Sequence, residues 1–226
     1  YIIESLFYTT MKKLMIVLLA LVLLGSNVQG QDKSTYTTSS IEYLFSWSDA
    51  SNNGQDLTGP VRFAPFFNFQ NAVNKDISEK FGLYLGLSIN NVGFIYDVDE
   101  FTRKKVRTYN LGIPVGIKIG NLNGTYLYGG YTVEFPLNYK EKTFINEEKT
   151  KFNTWFSDRT AIQQAVVAGI QFPYGATLKF KYYFTDFYDK GYTDSTGQPY
   201  ANFSGNAMVL SLGITLFKGT DFTYDK

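Results

Sequence analysis

The sequence contains neither cysteine nor histidine in its 226 residues. Without cysteine there is no disulfide, no thiolate metal ligand, no thiol nucleophile and no acylated lipoprotein cysteine. Without histidine the chain lacks the usual general base, a Ser-His pair and the commonest transition-metal ligand. We therefore expect a protein that is not an enzyme and that has no catalytic, cofactor-binding or metal site.

The net charge is nearly zero as well, because the sequence has 21 basic and 20 acidic residues. The broad positive field that attracts nucleic acid is therefore missing, and we expect no nucleic-acid partner. Proline is scarce, with six residues, whereas 18 tyrosines, 20 phenylalanines and 20 glycines are typical of strands and tight turns. Beyond Gln31 the sequence shows no helical periodicity and no second long apolar run.

The N-terminal region has the pattern of a secretory signal peptide. Met11, Lys12 and Lys13 form a basic start, residues 14–24 are an unbroken apolar run, and residues 28–30 supply a cleavage site. The run is shorter than the ~20 residues that span a bilayer, and the alternative is a buried core helix. The predicted N-terminal segments are an upstream extension at 1–10, a signal peptide at 11–30 and a periplasmic linker at 31–35.

After this region, eight segments alternate with a period of two, which indicates strands with two different faces. Between Phe81 and Ile89, for example, large apolar residues at odd positions alternate with small or polar residues at even positions. About ten residues are enough for a tilted strand to cross a membrane. The eight segments cover residues 41–48, 61–70, 81–89, 109–119, 126–135, 162–172, 177–184 and 207–216.

Shorter and longer links alternate between these segments. The shorter links are 71–80, 120–124 and 173–175, and the longer, polar loops include the charged stretches 97–105 and 140–159. This alternation is expected of a barrel whose turns face the periplasm and whose loops face outward. We predict an all-β fold, an eight-stranded antiparallel up-and-down transmembrane β-barrel. The predicted barrel covers 36–217, and a periplasmic tail covers 218–226.

The two faces of the predicted strands differ in size as well as polarity. The polar face is rich in small residues such as Gly82, Gly112, Gly169 and Gly213. The inside of an eight-stranded barrel is barely wide enough for side chains, so small residues suit it, and bulky apolar residues suit lipid. Gln164 is a polar exception on the lipid-facing side. The alternative is a soluble lipocalin-like barrel that binds a ligand among inward apolar side chains.

Six charged side chains fall on the small, polar face of the segments. Buried charges need partners, so we predict an ionic network that plugs the lumen, with two glutamates shared among four bases. The alternative is the selectivity filter of a narrow channel. Pro65 and Pro114 lie within segments, where we predict β-bulges. The predicted network consists of Glu42, Arg62, Lys118, Glu134, Lys179 and Lys181.

Aromatic residues near the predicted strand ends are candidates for the two interfacial girdles of a membrane barrel. In the loops, Trp155 and Phe156 are candidates for contact with a partner, because exposed aromatic side chains are typical interface anchors. The alternative is a solvated loop beside anionic lipopolysaccharide. The candidate girdle residues are Trp47, Phe69, Phe81, Tyr109, Phe135, Phe172 and Phe184.

Two stretches of sequence carry a family resemblance, residues 109–116 and 169–183. They resemble the small outer-membrane β-barrels common in Bacteroidetes-type bacteria, which are grouped with the OmpA-like transmembrane domain or the PorT-like barrels. The resemblance covers about residues 36–217 and carries no catalytic motif. It implies a location in the bacterial outer membrane. The even number of predicted strands would return both termini to the periplasm.

We therefore expect a non-enzymatic integral outer-membrane protein that contributes to envelope integrity or serves as an accessory subunit of an outer-membrane complex. The expected partners are outer-membrane lipid, lipopolysaccharide and an outer-membrane protein complex. A narrow channel or transporter for small solutes is the main alternative. An envelope enzyme that acts on lipid is a third hypothesis, which the missing histidine disfavours.

Overall fold

The computed structural model describes residues 34–146 and 148–218. The predicted upstream extension, the signal peptide and almost all of the predicted tail lie outside these residues. The described chain consists of strands joined by turns and loops, with one 3-10 turn at Pro173–Gly175. The strands are β1 Thr35–Ser48, β2 Ala50–Asn52, β3 Gln55–Leu57, β4 Arg62–Ala64, β5 Phe69–Ser78, β6 Phe81–Asp97, β7 Thr102–Gly120, β8 Tyr126–Ile145, β9 Glu148–Trp155, β10 Gln163–Gln171, β11 Ala176–Tyr183, β12 Phe203–Ser204 and β13 Ala207–Lys218.

Eight antiparallel strands form a closed ring. The order of strands around the ring is β1, β5, β6, β7, β8, β10, β11 and β13. Each strand pairs with its neighbours in this order. β13 then pairs with β1 from Ser48 to Thr37, which closes the barrel. Closure leaves no edge strand within the ring, because every ring strand has a neighbour on both sides. The prediction of an eight-stranded antiparallel up-and-down barrel is confirmed.

The two ends of the barrel differ. At the turn end, short connections follow β5, β7 and β10, and the described chain starts at β1 and stops at β13. At the opposite loop end, β2, β3 and β12 form a separate three-stranded sheet. β9 runs antiparallel to the outer half of β8, from Asn138 to Ile145. These two strand segments lie beyond the ring.

Several predicted links are strands in the structure, and these predictions were wrong. Residues 71–78 belong to β5, and much of 97–105 and 140–155 belongs to β6, β7, β8 and β9. The charged stretches still alternate: Val106 and Tyr139 point to the protein interior, whereas Arg107 and Lys140 point outward. Charge on the outward side hid this alternation, because the outward residues there are basic rather than apolar.

Regular pairing with β1 breaks at Pro65, as the sequence predicts. β1 pairs with Ala64 on one side of the break and with Phe69 on the other, in a changed register. Asn68 bridges the break. Its side-chain amide donates to the carbonyl of Ala64 at 2.9 Å, and its side-chain oxygen accepts from the backbone N–H of Asn91 at 2.9 Å. These bonds replace ladder bonds that the irregular segment cannot make.

Pro114 lies in a regular strand, so the bulge predicted there is wrong. β7 keeps one register with β6 on both sides of the proline, through Val115 and Gly112. Proline has no N–H to donate, and the ladder leaves its position unpaired with β6 without inserting a residue. The register shift between β7 and β8 lies instead beside Leu137, next to Pro136.

Glycines on the inner face make room for large interior side chains. A Cβ atom at Gly116 would lie 2.2 Å from the carbonyl oxygen of Gly129 and 2.6 Å from the Tyr84 ring. A Cβ atom at Gly169 would lie 2.4 Å from the Tyr128 ring. These two glycines therefore leave the space that tyrosines of neighbouring strands occupy.

Adding one methyl group at an inner glycine should destabilise the barrel. We expect Gly116→Ala to lower the free energy of unfolding by about 1–3 kcal/mol, the usual cost of overpacking. The matched control is Gly129→Ala, where the nearest atom to a new Cβ is the Val167 carbonyl oxygen at 3.4 Å. Urea unfolding in phospholipid vesicles measures both variants, and equal stability of the two would contradict this packing.

Candidate functional site

Glu134 is the centre of the polar interior. It is fully buried on β8. Lys181 Nζ lies 2.7 Å from Oε1, and the Tyr183 hydroxyl donates to both carboxylate oxygens at 3.0 Å. Asn90 donates to Oε1 at 3.0 Å and Asn110 to Oε2 at 3.1 Å. The carboxylate thus joins four strands, β6, β7, β8 and β11, and its charge is compensated within the barrel.

A second buried ion pair lies beside the first. Lys179 on β11 contacts the Glu42 carboxylate on β1, and both side chains are almost completely buried. Because Lys179 and Lys181 are on the same face of one strand, β11 supplies a cation to each glutamate. The sequence predicted these four residues as part of one network of six, and the structure brings the four together in two neighbouring pairs.

Lys118 takes a partner that sequence reasoning missed. Its Nζ atom lies 2.6 Å from Asp76 Oδ1 and donates to the Tyr36 hydroxyl at 2.8 Å. The prediction that Lys118 shares Glu42 or Glu134 is therefore corrected. Asp76 escaped notice because it lies in a stretch predicted as a link, although it alternates correctly with Asn74 on β5.

Arg62 also departs from the predicted network. Its guanidinium binds Asn91, donating to the backbone oxygen at 3.1 Å and to the side-chain oxygen. Among the ion pairs of the described residues, none includes Arg62. Arg62 is directly opposite Ser46 on β1 and also donates to its hydroxyl at 3.4 Å. Its hydrogen-bond partners are therefore Ser46 and Asn91 rather than the two glutamates.

An aromatic cluster, which we call the aromatic plug, closes the interior at the loop end. Tyr188 stacks on Tyr200 with ring centroids 4.0 Å apart, and Phe187 packs edge-on against Phe94 at 5.1 Å. The plug consists of Phe94, Tyr96, Tyr139, Phe187, Tyr188, Tyr200 and Phe203. Four of these residues come from the long connection between β11 and β13, which sequence reasoning treated as a polar loop. The aromatic residues of this connection were the signal in the sequence that could have predicted its packing in the interior.

The space left inside the barrel is small. A cavity of about 50 Å³ lies towards the turn end, lined by residues that include Glu42, Tyr84, Lys118, Tyr128 and Lys179. This volume holds a few water molecules and is well below the ~300 Å³ of a typical small-molecule site. This cavity is therefore too small to hold the ligand of a lipocalin-like barrel.

The outer face of the ring is apolar and exposed. Gln164, the polar exception, accepts a hydrogen bond from the Tyr131 hydroxyl. Soluble monomers rarely expose a continuous apolar surface of this extent, whereas lipid requires one. Outward side chains that are well exposed include Ile41, Tyr43, Phe69, Leu83, Leu85, Ile89, Val115, Ile117, Ile119, Leu127, Val166, Leu210, Leu212, Ile214 and Leu216.

The seven candidate girdle residues are exposed or partly exposed on this outer face. Phe81 and Phe172 lie at the turn end, and the other five lie towards the loop end. Tyr109 and Phe135 are midway along β7 and β8, because these strands continue beyond the ring. The loop candidates Trp155 and Phe156 are adjacent, with ring centroids 6.3 Å apart, and Trp155 is 60% exposed.

No helix within residues 34–146 and 148–218 is long and apolar enough to span a bilayer.

The chain matches no protein-family model and no curated protein. Solved structures similar to it include Ail, the attachment invasion locus protein of Yersinia pestis, at 13% identity over 79% of this chain and 98% of Ail, with a TM-score of 0.37. Neisserial surface protein A is 10% identical over 81% of this chain and 96% of its own, with a TM-score of 0.41. The outer membrane protein OprG of Pseudomonas aeruginosa is 10% identical, covers 84% and 99%, and has a TM-score of 0.34. Likeness at this level establishes neither kinship nor activity.

An apolar exterior, a polar interior and a closed antiparallel ring together define an integral membrane β-barrel. This arrangement is the reverse of the lipocalin-like alternative, which places its apolar side chains inside.

Breaking the central ion pair should cost more than breaking one at the surface. We expect Glu134→Gln to destabilise the barrel by about 3–5 kcal/mol, because Lys181 remains as an unpaired buried charge. Replacing both partners, as Glu134→Gln/Lys181→Met, should recover part of this loss. The control Asp97→Asn breaks the exposed pair with Arg103 and should cost less than about 1 kcal/mol.

Urea unfolding of the refolded barrel in phospholipid vesicles gives the three free energies. A Glu134→Gln loss no larger than that of Asp97→Asn would show that the carboxylate does not hold the interior together.

Proposed function

We propose that this protein is an integral protein of the bacterial outer membrane with a closed interior, and that it acts through its outward surface rather than by conduction or catalysis. The observation that carries the proposal is the interior itself, where buried ion pairs fill the lumen and the aromatic plug covers it. A filled lumen has no path for a solute, so the exposed residues outside it are left as the working surface.

The outer membrane is the location that this fold supports best. Closed barrels with an apolar exterior are typical of that membrane, and the predicted signal peptide would deliver the chain to the periplasm. The resemblance to Bacteroidetes-type and PorT-like barrels, and the periplasmic position of both termini, stay part of the proposal. The same holds for a role in envelope integrity or as an accessory subunit of an outer-membrane complex.

Absence of histidine and cysteine supports a non-enzymatic role. The buried carboxylates each accept hydrogen bonds from neighbouring strands, which suits structural charge compensation. For a partner protein, Trp155 and Phe156 remain the candidate contact, supported by their exposure at the end of β9.

Fractionation tests the membrane proposal. The protein, expressed in a Gram-negative host, should sediment with outer membranes and should migrate differently on a denaturing gel with and without boiling, since closed barrels resist unfolding by detergent when unheated. A soluble protein with the same mobility in both samples would contradict the proposal.

Conductance tests the closed interior. Purified protein in planar bilayers should give no steady current above that of a protein-free bilayer, because the lumen cavity is only about 50 Å³. A porin reconstituted in the same way serves as the positive control. Steady conductance would favour the narrow-channel alternative.

A further inference from the structure

The part of β7, β8 and β9 beyond the ring carries one strongly basic face. In the registers of these strands, Arg107 is directly opposite Lys140, and Lys105 is directly opposite Lys142, which is in turn opposite Lys151. The described acidic residues of this region, Glu141 and Glu148, lie on the other face, where Glu141 pairs with Lys104 at 3.1 Å. The basic face consists of Lys105, Arg107, Lys140, Lys142, Lys149 and Lys151.

Like charges that face each other across a ladder destabilise it. Burial lowers the pKa of Lys105, and the neighbouring cations Arg62 and Arg107 lower it further. Burial, together with Lys149, Lys105 and other neighbouring lysines, lowers the pKa of Lys142. An anion bound among these cations would neutralise their repulsion and so stabilise the fold.

Arg62, on β4, lies beside the basic face of β7 and β8. Arg62 is almost completely buried, with a relative exposure of 2%, and its Nε atom has no hydrogen-bond partner. A pocket of about 240 Å³ is lined by Arg62, Lys105, Arg107, Lys140 and Lys142. No acidic side chain lines this pocket. Five cations, one of them buried with an unused donor, therefore converge on one space.

The pocket lies where the headgroup of a membrane lipid would be. Tyr109 lines it, and the outward residues that follow on β7, from Leu111 to Ile119, form part of the apolar outer face. Arg107 lies two residues beyond Tyr109 on that same face, with its guanidinium 4.5 Å from the centre of the Tyr109 ring. Phe63, Phe66 and Phe67 also line the pocket. Acyl chains along the apolar face would thus place their headgroup among the cations.

We propose that this pocket binds the phosphate groups of an anionic outer-leaflet lipid, of the phosphorylated glucosamine class found in lipopolysaccharide. Arg62, Arg107 and Lys140 would hold the phosphate, Lys105 and Lys142 would complete its neutralisation, and the aromatic side chains would contact the first part of the acyl chains. The inference rests on the proposed membrane location. It goes beyond that location by naming the lipid chemistry and the residues that recognise it.

The test compares thermal unfolding in nanodiscs of phosphatidylcholine with and without diphosphoryl lipid A. We expect lipid A to raise the unfolding temperature of the wild-type protein. Dephosphorylated lipid A should raise it much less. In Arg107→Gln/Lys140→Gln the apparent affinity for diphosphoryl lipid A should fall about tenfold or more, since one charge-assisted hydrogen bond is worth that factor.

The control variant Lys75→Gln/Lys80→Gln removes two cations at the opposite, turn end and should keep the wild-type response. In pure phosphatidylcholine, Arg107→Gln/Lys140→Gln should be at least as stable as wild type, because it relieves a repulsion. A merely structural role for the two residues predicts the opposite. The stabilisation by lipid A should also decrease as salt is raised.

Three results would overturn the proposal. One is an equal response of wild type and Arg107→Gln/Lys140→Gln to diphosphoryl lipid A, and another is an equal response of the wild type to phosphorylated and dephosphorylated lipid. The third is stronger stabilisation by soluble heparin than by lipid A, which would identify a sulfated polysaccharide as the ligand. Failure of the membrane location is distinguishable, because the protein would then not insert into any of the nanodiscs.

Discussion

The narrowness of an eight-stranded ring is the constraint on which the rest of this structure depends. A lumen of this width must be filled by side chains, and side chains that join strands through hydrogen bonds fill it more specifically than apolar ones. Glu134 receives donors from three other strands, and glycines such as Gly116 leave room for the tyrosines beside it. Charge inside and glycine around it are therefore two parts of one packing solution.

This interior packing allows the inner and outer faces of the barrel to differ in polarity. Since the interior compensates its own charges, the outer face of the ring can be almost wholly apolar. Where the strands leave the ring, the interior changes from ion pairs to the aromatic plug, and the outer face changes from apolar to basic residues. Both changes occur near Tyr109, at the level where lipid would give way to headgroups and water.

Sequence reasoning succeeded where one physical pattern acted alone. Period-two alternation predicted the eight strands and the inward direction of Glu42, Glu134, Lys179 and Lys181, because a strand has only two faces. It did not predict the partner of Lys118, since pairing depends on the stagger of the closed ring, which alternation does not encode. Nor did it predict that Arg62 binds Asn91 rather than a glutamate, because this contact joins β4 to β6, and alternation does not show which strands lie beside each other.

The long hairpin of β7 and β8 has a consequence for how the protein meets its surroundings. From Tyr109 to Thr102 the strand continues for seven residues, which lifts the hairpin tip by about 20 Å at the usual rise of a strand. The tip is supported by β9 and by the aromatic plug beneath it, so it is a braced projection rather than a loose tether. Phe101 and Ile145, exposed at that tip, are therefore held at a fixed height above the apolar face of the ring.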